Sequence, residues 1–282
     1  MKQLLLMSFF FIFACNSIYN VGTHNVKKKE VKPFSDKNGD WKLDREFSDE
    51  FNKTVLDKKK WDNNITSWGL WTWKPENIVT TDSSLMIRMD YKKHSRIGFN
   101  GDVLDNLYYT SGIVQSKAPP KKYGYYEAKI KGSQKYPGVC PAFWLYHKDG
   151  GLANKNSKYW TEIDIVELTQ NVKYGENAVG LNIHAFNHPN LLNKVHEGFE
   201  WHAPWNPMDD YHIYGLEWNK DWIIWYVDGL ERRRRANEFW DQPLDVALSF
   251  GLRNPLKKQP SPEGFPAVFH VDYVRVWTKG TN

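Results

Sequence analysis

Residues 160–170 read Trp160-Thr161-Glu162-Ile163-Asp164-Ile165-Val166-Glu167-Leu168-Thr169-Gln170, three acids inside a short apolar, β-branched run. Such a run favours a strand, and strands deplete Asp and Glu. An ionised carboxylate taken out of water without a partner costs so much that it changes its proton affinity or is absent. Three together therefore point to chemistry rather than packing. On a helix, Glu162 and Asp164 would stand about 200° apart around the axis; on a strand, residues two apart share a face. Glu167, five positions after Glu162, then points the other way unless one extra residue is inserted as a β-bulge. The pattern predicts a bulge at Ile165 or Val166. With it, the two glutamates lie roughly four strand steps, about 13 Å, apart at Cα. Their side chains can then close to roughly 5–6 Å, the separation of nucleophile and acid/base in retaining glycoside hydrolysis. The alternatives are a structural ion-pair strand and an exposed edge whose acids face water.

Outward from this stretch the texture is uniform from about Trp41 to Lys279, with short apolar or alternating runs between turn residues and no sustained helical period. Residues 85–91, 124–131, 160–168, 178–186, 211–218, 222–227 and 269–277 all read as strands. Asp228-Gly229, after Trp222-Ile-Ile-Trp-Tyr-Val227, is a hairpin turn. Many strands with no helices between them imply an all-β antiparallel sandwich or barrel. No internal repeat or second boundary is evident, so residues 39–282 read as one domain.

The 282 residues carry 14 Trp, 15 Tyr and 15 Phe, a net charge of +5 and a pI near 8.9. So many flat side chains suit a cleft that stacks on sugar rings as well as a core. No nucleic-acid motif accompanies the positive charge, so the expected partner is an acidic polysaccharide and not a nucleic acid. The N-terminus has a Lys2 n-region and an apolar stretch from Leu4 to Ala14, too short to span a bilayer, and reads as an export signal over residues 1–15. Ile12-Phe13-Ala14-Cys15 resembles a bacterial lipobox, which makes Cys15 a lipidation site and residues 16–38 a polar tether. The expected location is the outer membrane or cell surface, through that lipid anchor alone, with simple secretion as the alternative. With Cys15 lipidated, Cys140 has no disulfide partner in the chain and reads as a small buried residue. Asp36 to Asp40 looks like the start of a calcium loop, but Trp41 stands where an EF-hand requires glycine.

Glu162-Ile163-Asp164-Ile165-Val166-Glu167 resembles the bulged active-site motif of glycoside hydrolase family 16. The flanking pieces Ser48-Asp-Glu-Phe-Asn52, Tyr125-Tyr-Glu127, Pro141-Ala-Phe-Trp144 and Val271-Asp-Tyr-Val-Arg-Val276 agree with it. Within that family the chain is most similar to the κ-carrageenases, through residues 69–74, 107–112, 136–139, 167–170 and 251–253. The resemblance implies a concanavalin-like jelly roll with a concave cleft, acting on a sulfated red-algal galactan, κ-carrageenan first, by endo-hydrolysis of β-1,4 linkages with retention. Furcellaran, porphyran and agarose are the alternative polymers, because residues 169–210 and 256–262 depart from the carrageenase pattern and such loops shape subsites. A non-catalytic galactan-binding surface lipoprotein is the alternative of another class. By family pattern Glu162 is the nucleophile, Glu167 the acid/base and Asp164 the residue that tunes both.

Around the acids, Trp144 is expected beneath the sugar beside the scissile bond. Trp71 and Trp73 share a strand face and serve either as stacking platforms or as core. His184, with Asn182 on its face, is expected to reach the acid/base or a sugar, or to be a hydrogen-bonded structural residue. Arg253 matches the position of a sulfate-binding arginine, its fork suited to that anion; the alternative is a rim salt bridge. Arg232 to Arg235 read as a solvated strand. No metal is expected in catalysis and no cofactor is required; the resemblance implies a structural calcium near Asp272 in some members. A monomer is expected.

Overall fold

The Asp228-Gly229 turn and the apolar runs beside it form the expected hairpin. In the computed structural model, which describes residues 31–37, 39–98, 100–147, 159–168, 173–187 and 194–280, Asp228 and Gly229 have φ of 49° and 78°. That left-handed pair matches the twist of the flanking strands.

In chain order the strands are β1 (Trp41–Asp49), β2 (Trp61–Asp62), β3 (Thr72–Trp73), β4 (Ile78–Thr80), β5 (Leu85–Ile97), β6 (Val103–Ser111), β7 (Ile113–Ser116), β8 (Gly124–Lys131), β9 (Val139–Tyr146), β10 (Trp160–Glu167), β11 (Ala178–Gly180), β12 (Ile183–Phe186), β13 (Val195–Glu197), β14 (Glu200–His202), β15 (His212–Trp218), β16 (Trp222–Val227), β17 (Leu230–Ala236), β18 (Asp245–Leu252) and β19 (Ala267–Lys279). One sheet has the order β17-β16-β15-β8-β19-β5-β6-β3, with β1 beside β19 and β4 beside β5. The other runs β13-β12-β10-β9-β18-β7-β2, with β11 and β14 continuing from β10. Pairing is antiparallel except between β3 and β6. The fold is thus the expected all-β sandwich.

Period-two alternation builds the core. On β5, Leu85, Ile87 and Met89 are fully buried while Arg88 between them is exposed. They join one cluster with Phe143, Leu145, Ile163 and Val166 of the opposite sheet. Between β6 of one sheet and β7 of the other stands a single residue, Gly112, where a Cβ would lie 2.5 Å from Ile78 Cδ1 and 2.9 Å from Ile87 Cγ2. Only glycine lets the chain cross there.

Three expectations change. Residues 178–186 are not one strand: β11 and β12 are separate, because they pair with β10 on opposite sides of an irregularity in it. Residues 16–30 and 38, like the signal region and Cys15, lie outside the described residues. The tether's described end, however, is strapped to the first sheet: Trp277 Nε1 donates to Val31 O at 2.8 Å and Phe34 N to Glu127 Oε2 at 2.8 Å. The arginine run is not a solvated strand. Arg233 and Arg235 both clamp Glu197 of the other sheet, at 3.1 and 2.8 Å. Their guanidinium planes lie over Trp225 and Trp240 at 4.7 and 4.8 Å.

Candidate active site

Strand β10 carries the acids, and it bulges. Against β9, Asp164 pairs with Trp144 and Val166 with Phe143, so Ile165 has no partner of its own. The register shifts by the same one residue on the other side, from Ile163 opposite Ile183 to Glu167 opposite Gly180. Ile165 and Val166 both enter the core, and Glu162, Asp164 and Glu167 all line one cavity. Two buried indoles hold the strand from behind. Trp225 Nε1 donates to Asp164 O at 2.8 Å, and Trp240 Nε1 to Glu162 O at 2.9 Å. Each satisfies a backbone carbonyl beside the irregular ladder.

The cavity, of about 270 Å³, gathers every residue expected in catalysis or substrate binding. Trp71, Trp73, Trp144, His184 and Arg253 line it with the three acids. Trp144 stacks on Tyr146 at 4.2 Å and donates through Nε1 to Ser249 Oγ at 3.1 Å. Trp71 and Trp73 meet edge to face at 5.2 Å and are 5% exposed each, so they serve core and wall at once.

The sequence reading missed Trp68, packed edge-on to Trp73 and Trp144, and the stacked pair of Trp160 and Phe186 at 3.9 Å. A signal existed for that pair, since Trp160 has the parity of Glu162 and Phe186 that of His184. His184 does not reach the expected acid/base. Its Nε2 lies 3.2 Å from Asp164 Oδ2, and its Nδ1 is 2.7 Å from His196 Nδ1. Asn182 reaches Glu167 instead, donating to Oε2 at 2.8 Å, while Cys140 Sγ lies 3.3 Å from Glu167 Oε1. Arg253 Nη2 is ion-paired with that same Oε1, which is closer to the acids than a rim salt bridge.

These partners split the acids. Burial, with the charges of Asp164 and Glu167, pushes Glu162 well above the usual carboxylate range. Burial and Glu167 raise Asp164 too, against the pull of His184. Burial would also raise Glu167, but the Arg253 guanidinium, the Asn182 amide and the Cys140 thiol hold it below its ordinary value. Glu162 and Asp164 therefore hold a proton more tightly than a free carboxyl does, and Glu167 less tightly. A desolvated carboxylate takes its proton affinity from its nearest partner, which for Glu167 is the Arg253 guanidinium. As the three share protons, these directions belong to the cluster.

Glu162, Asp164 and His184 are also the one grouping of three ligand-type side chains among the described residues, with donor atoms within 4.8 Å. Asp272 belongs to no such group; its Oδ2 is ion-paired with Lys129 Nζ at 2.6 Å. Calcium takes six to eight oxygens, backbone carbonyls among them, and at Asp272 one carboxylate oxygen is shared with that ammonium.

The fold and the site define a class: a two-sheet sandwich with a carboxylate cluster on a bulged strand, in a cleft walled by aromatic rings. The family model described as beta-porphyranase A-D, GH16 domain, matches residues 41–279. The chain belongs to glycoside hydrolase family 16, and its sandwich is that family's jelly roll. It is 38% identical to a κ-carrageenase of Pseudoalteromonas carrageenovora over 266 residues, 86% of this chain and 66% of that protein's length. A solved structure of the carrageenase from that organism, in complex with an oligotetrasaccharide of κ-carrageenan, superposes with a TM-score of 0.75 at 34% identity, covering 90% of this chain and 100% of that one. A κ-carrageenase of Zobellia galactanivorans gives 0.72 at 34% identity, over 86% and 97%.

Proposed function

We propose that this chain cleaves β-1,4 linkages inside a sulfated red-algal galactan, with retention, and that κ-carrageenan is its polymer. The carrying observation is that Glu162, Asp164 and Glu167 share one aromatic-walled cavity with the Arg253 guanidinium. In this reading Glu162 attacks the anomeric carbon while Glu167 gives its proton to the leaving oxygen. Glu167 then takes a proton from the water that releases the glycosyl-enzyme. Asp164 hydrogen-bonds Glu162 and, with His184, fixes where its charge sits. Trp144, Trp71 and Trp73 form the sugar-facing wall, and Arg253 reads a sulfate ester through two parallel N–H donors.

The family model described for porphyranases favours porphyran as the second polymer. A panel of κ-carrageenan, furcellaran, porphyran and agarose, read by new reducing ends and product size, decides. Internal cleavage of κ-carrageenan ahead of the others is expected; a preference for porphyran changes the substrate, and binding without new ends removes the enzyme reading. Export with Cys15 as lipid anchor belongs to the same proposal, since a polymer must be cut outside the cell. Activity is expected in the membrane fraction and, for Cys15→Ser, in the medium; unchanged partitioning would remove the anchor.

A further inference from the structure

Arg253 has two neighbours to serve. It follows β18 directly, its N donates to Gly138 O at 2.7 Å, and its Nη1 donates to Leu252 O at 3.1 Å. The guanidinium lies against Gly251, where a Cβ would be 3.0 Å from Nη1. Nη2 holds Glu167, so two of five donors are engaged. Its side chain is still 30% exposed and lines the cavity.

We propose that Arg253 is a switch on Glu167: in the free site it holds the carboxylate, and an anionic ester on the bound galactan draws the guanidinium away, freeing Glu167 to take a proton from Glu162 in the same cavity. The proposal rests on the reading of Glu167 as acid/base. The transfer balances inside the cluster, because Glu162 becomes the nucleophilic anion as Glu167 becomes the acid.

The surroundings favour it once the guanidinium leaves. Glu162 and Asp164 on β10 and Glu200 on β14 are the carboxyls that surround Glu167. His184 on β12 is held by Asp164, Lys257 lies farther round the cleft over Trp71, and the Cys140 thiol is kept neutral by burial. Arg253 is therefore the cation nearest Glu167, and once it leaves, burial is opposed only by the Asn182 amide and the Cys140 thiol, which raises the proton affinity of Glu167. Selection of a sulfated over an unsulfated polymer enters through kcat and not only through KM.

Wild type and Arg253→Met are compared on κ-carrageenan oligosaccharides and their chemically desulfated counterparts. Wild-type kcat is expected to fall about 10²-fold on desulfation, the lower range of general-acid catalysis. In Arg253→Met that ratio is expected to collapse, with the desulfated oligosaccharide cut faster than by wild type. An equal loss on both substrates, or a sulfate dependence confined to KM, overturns the switch. Arg253→Lys, which keeps a point charge, controls for folding and should retain sulfate dependence. A readout without turnover separates this inference from the function proposed above. Inorganic sulfate should raise the Glu167 titration midpoint, followed by carboxyl ¹³C NMR, in wild type and not in Arg253→Met; an unmoved wild-type midpoint overturns the switch even if galactan is cleaved.

Discussion

Glu162→Gln is expected to lower kcat on the cleaved galactan by on the order of 10⁴-fold or more, the scale of removing a nucleophile, while making the fold more stable. Glutamine keeps the shape and cannot displace the leaving group. Glu162 has a folded-state proton affinity raised by burial and by the charges of Asp164 and Glu167. The stability of its neutral form is present below the unfolded carboxylate value, and it is lost as pH rises through the folded value. Glutamine is neutral throughout. Wild type and variant should therefore melt together near pH 4, and the variant should lead at pH 8 by about 2–4 °C per kcal/mol relieved. Glu167→Gln has the opposite sign. Its folded value is depressed by Arg253 despite burial, so the ionised form contributes stability above the unfolded value and loses it as pH falls. Removing that charge should lower Tm at pH 8, leaving Arg253 without its ion-pair partner. Calorimetry and initial rates on both variants check the pair: kcat within tenfold of wild type would falsify the nucleophile role, and a lower Tm for Glu162→Gln at pH 8 would contradict the picture of crowded charge.

What could be read from the sequence was whatever depends on parity and local chemistry. Face alternation in residues 160–167 located the bulge within one residue, because two faces and three acids leave few arrangements. Asp228-Gly229 announced a hairpin because few dipeptides tolerate two positive φ values in succession. What could not be read was which partner crosses from another strand. His184 and Asn182 share a face two residues apart, and only the pairing register decides that the first meets Asp164 and the second Glu167. Arg253 looked like a free anion reader, since nothing in its neighbourhood of sequence indicates a glutamate 86 positions earlier. The arginine run reads as exposed by composition, yet Glu197 and Trp240 meet it from outside its own hairpin, and Trp225 meets it from the paired strand. Trp225 and Trp240 are plain apolar residues in the sequence, and their indole N–H groups support the catalytic strand only because the two sheets stack.

Deleting Ile165 should leave the three acids on one face. The residue has no cross-strand partner on β9, so its removal closes the irregularity and restores strict alternation through β10. Glu162, Asp164 and Glu167 then stand at alternate positions toward the cleft, with Ile163 and Val166 between them toward the core. Four steps on β9 separate the partners of Glu162 and Glu167, Tyr146 and Ala142, with the bulge, and four strand steps separate the glutamates without it. What the deletion removes is one buried apolar side chain, about 2–5 kcal/mol of stability, and the local twist that a bulge adds. That twist helps aim Glu167 at Arg253, Asn182 and Cys140. Ile165→Val keeps the bulge and removes one methylene, so about 0.5–1.5 kcal/mol of stability should go with little change in kcat. The folded deletion variant should therefore lose activity, but less than the roughly 10⁴-fold scale of removing the nucleophile. A loss as complete as that of Glu162→Gln would show that the bulge itself, and not the shared face alone, sets the reach of Glu167.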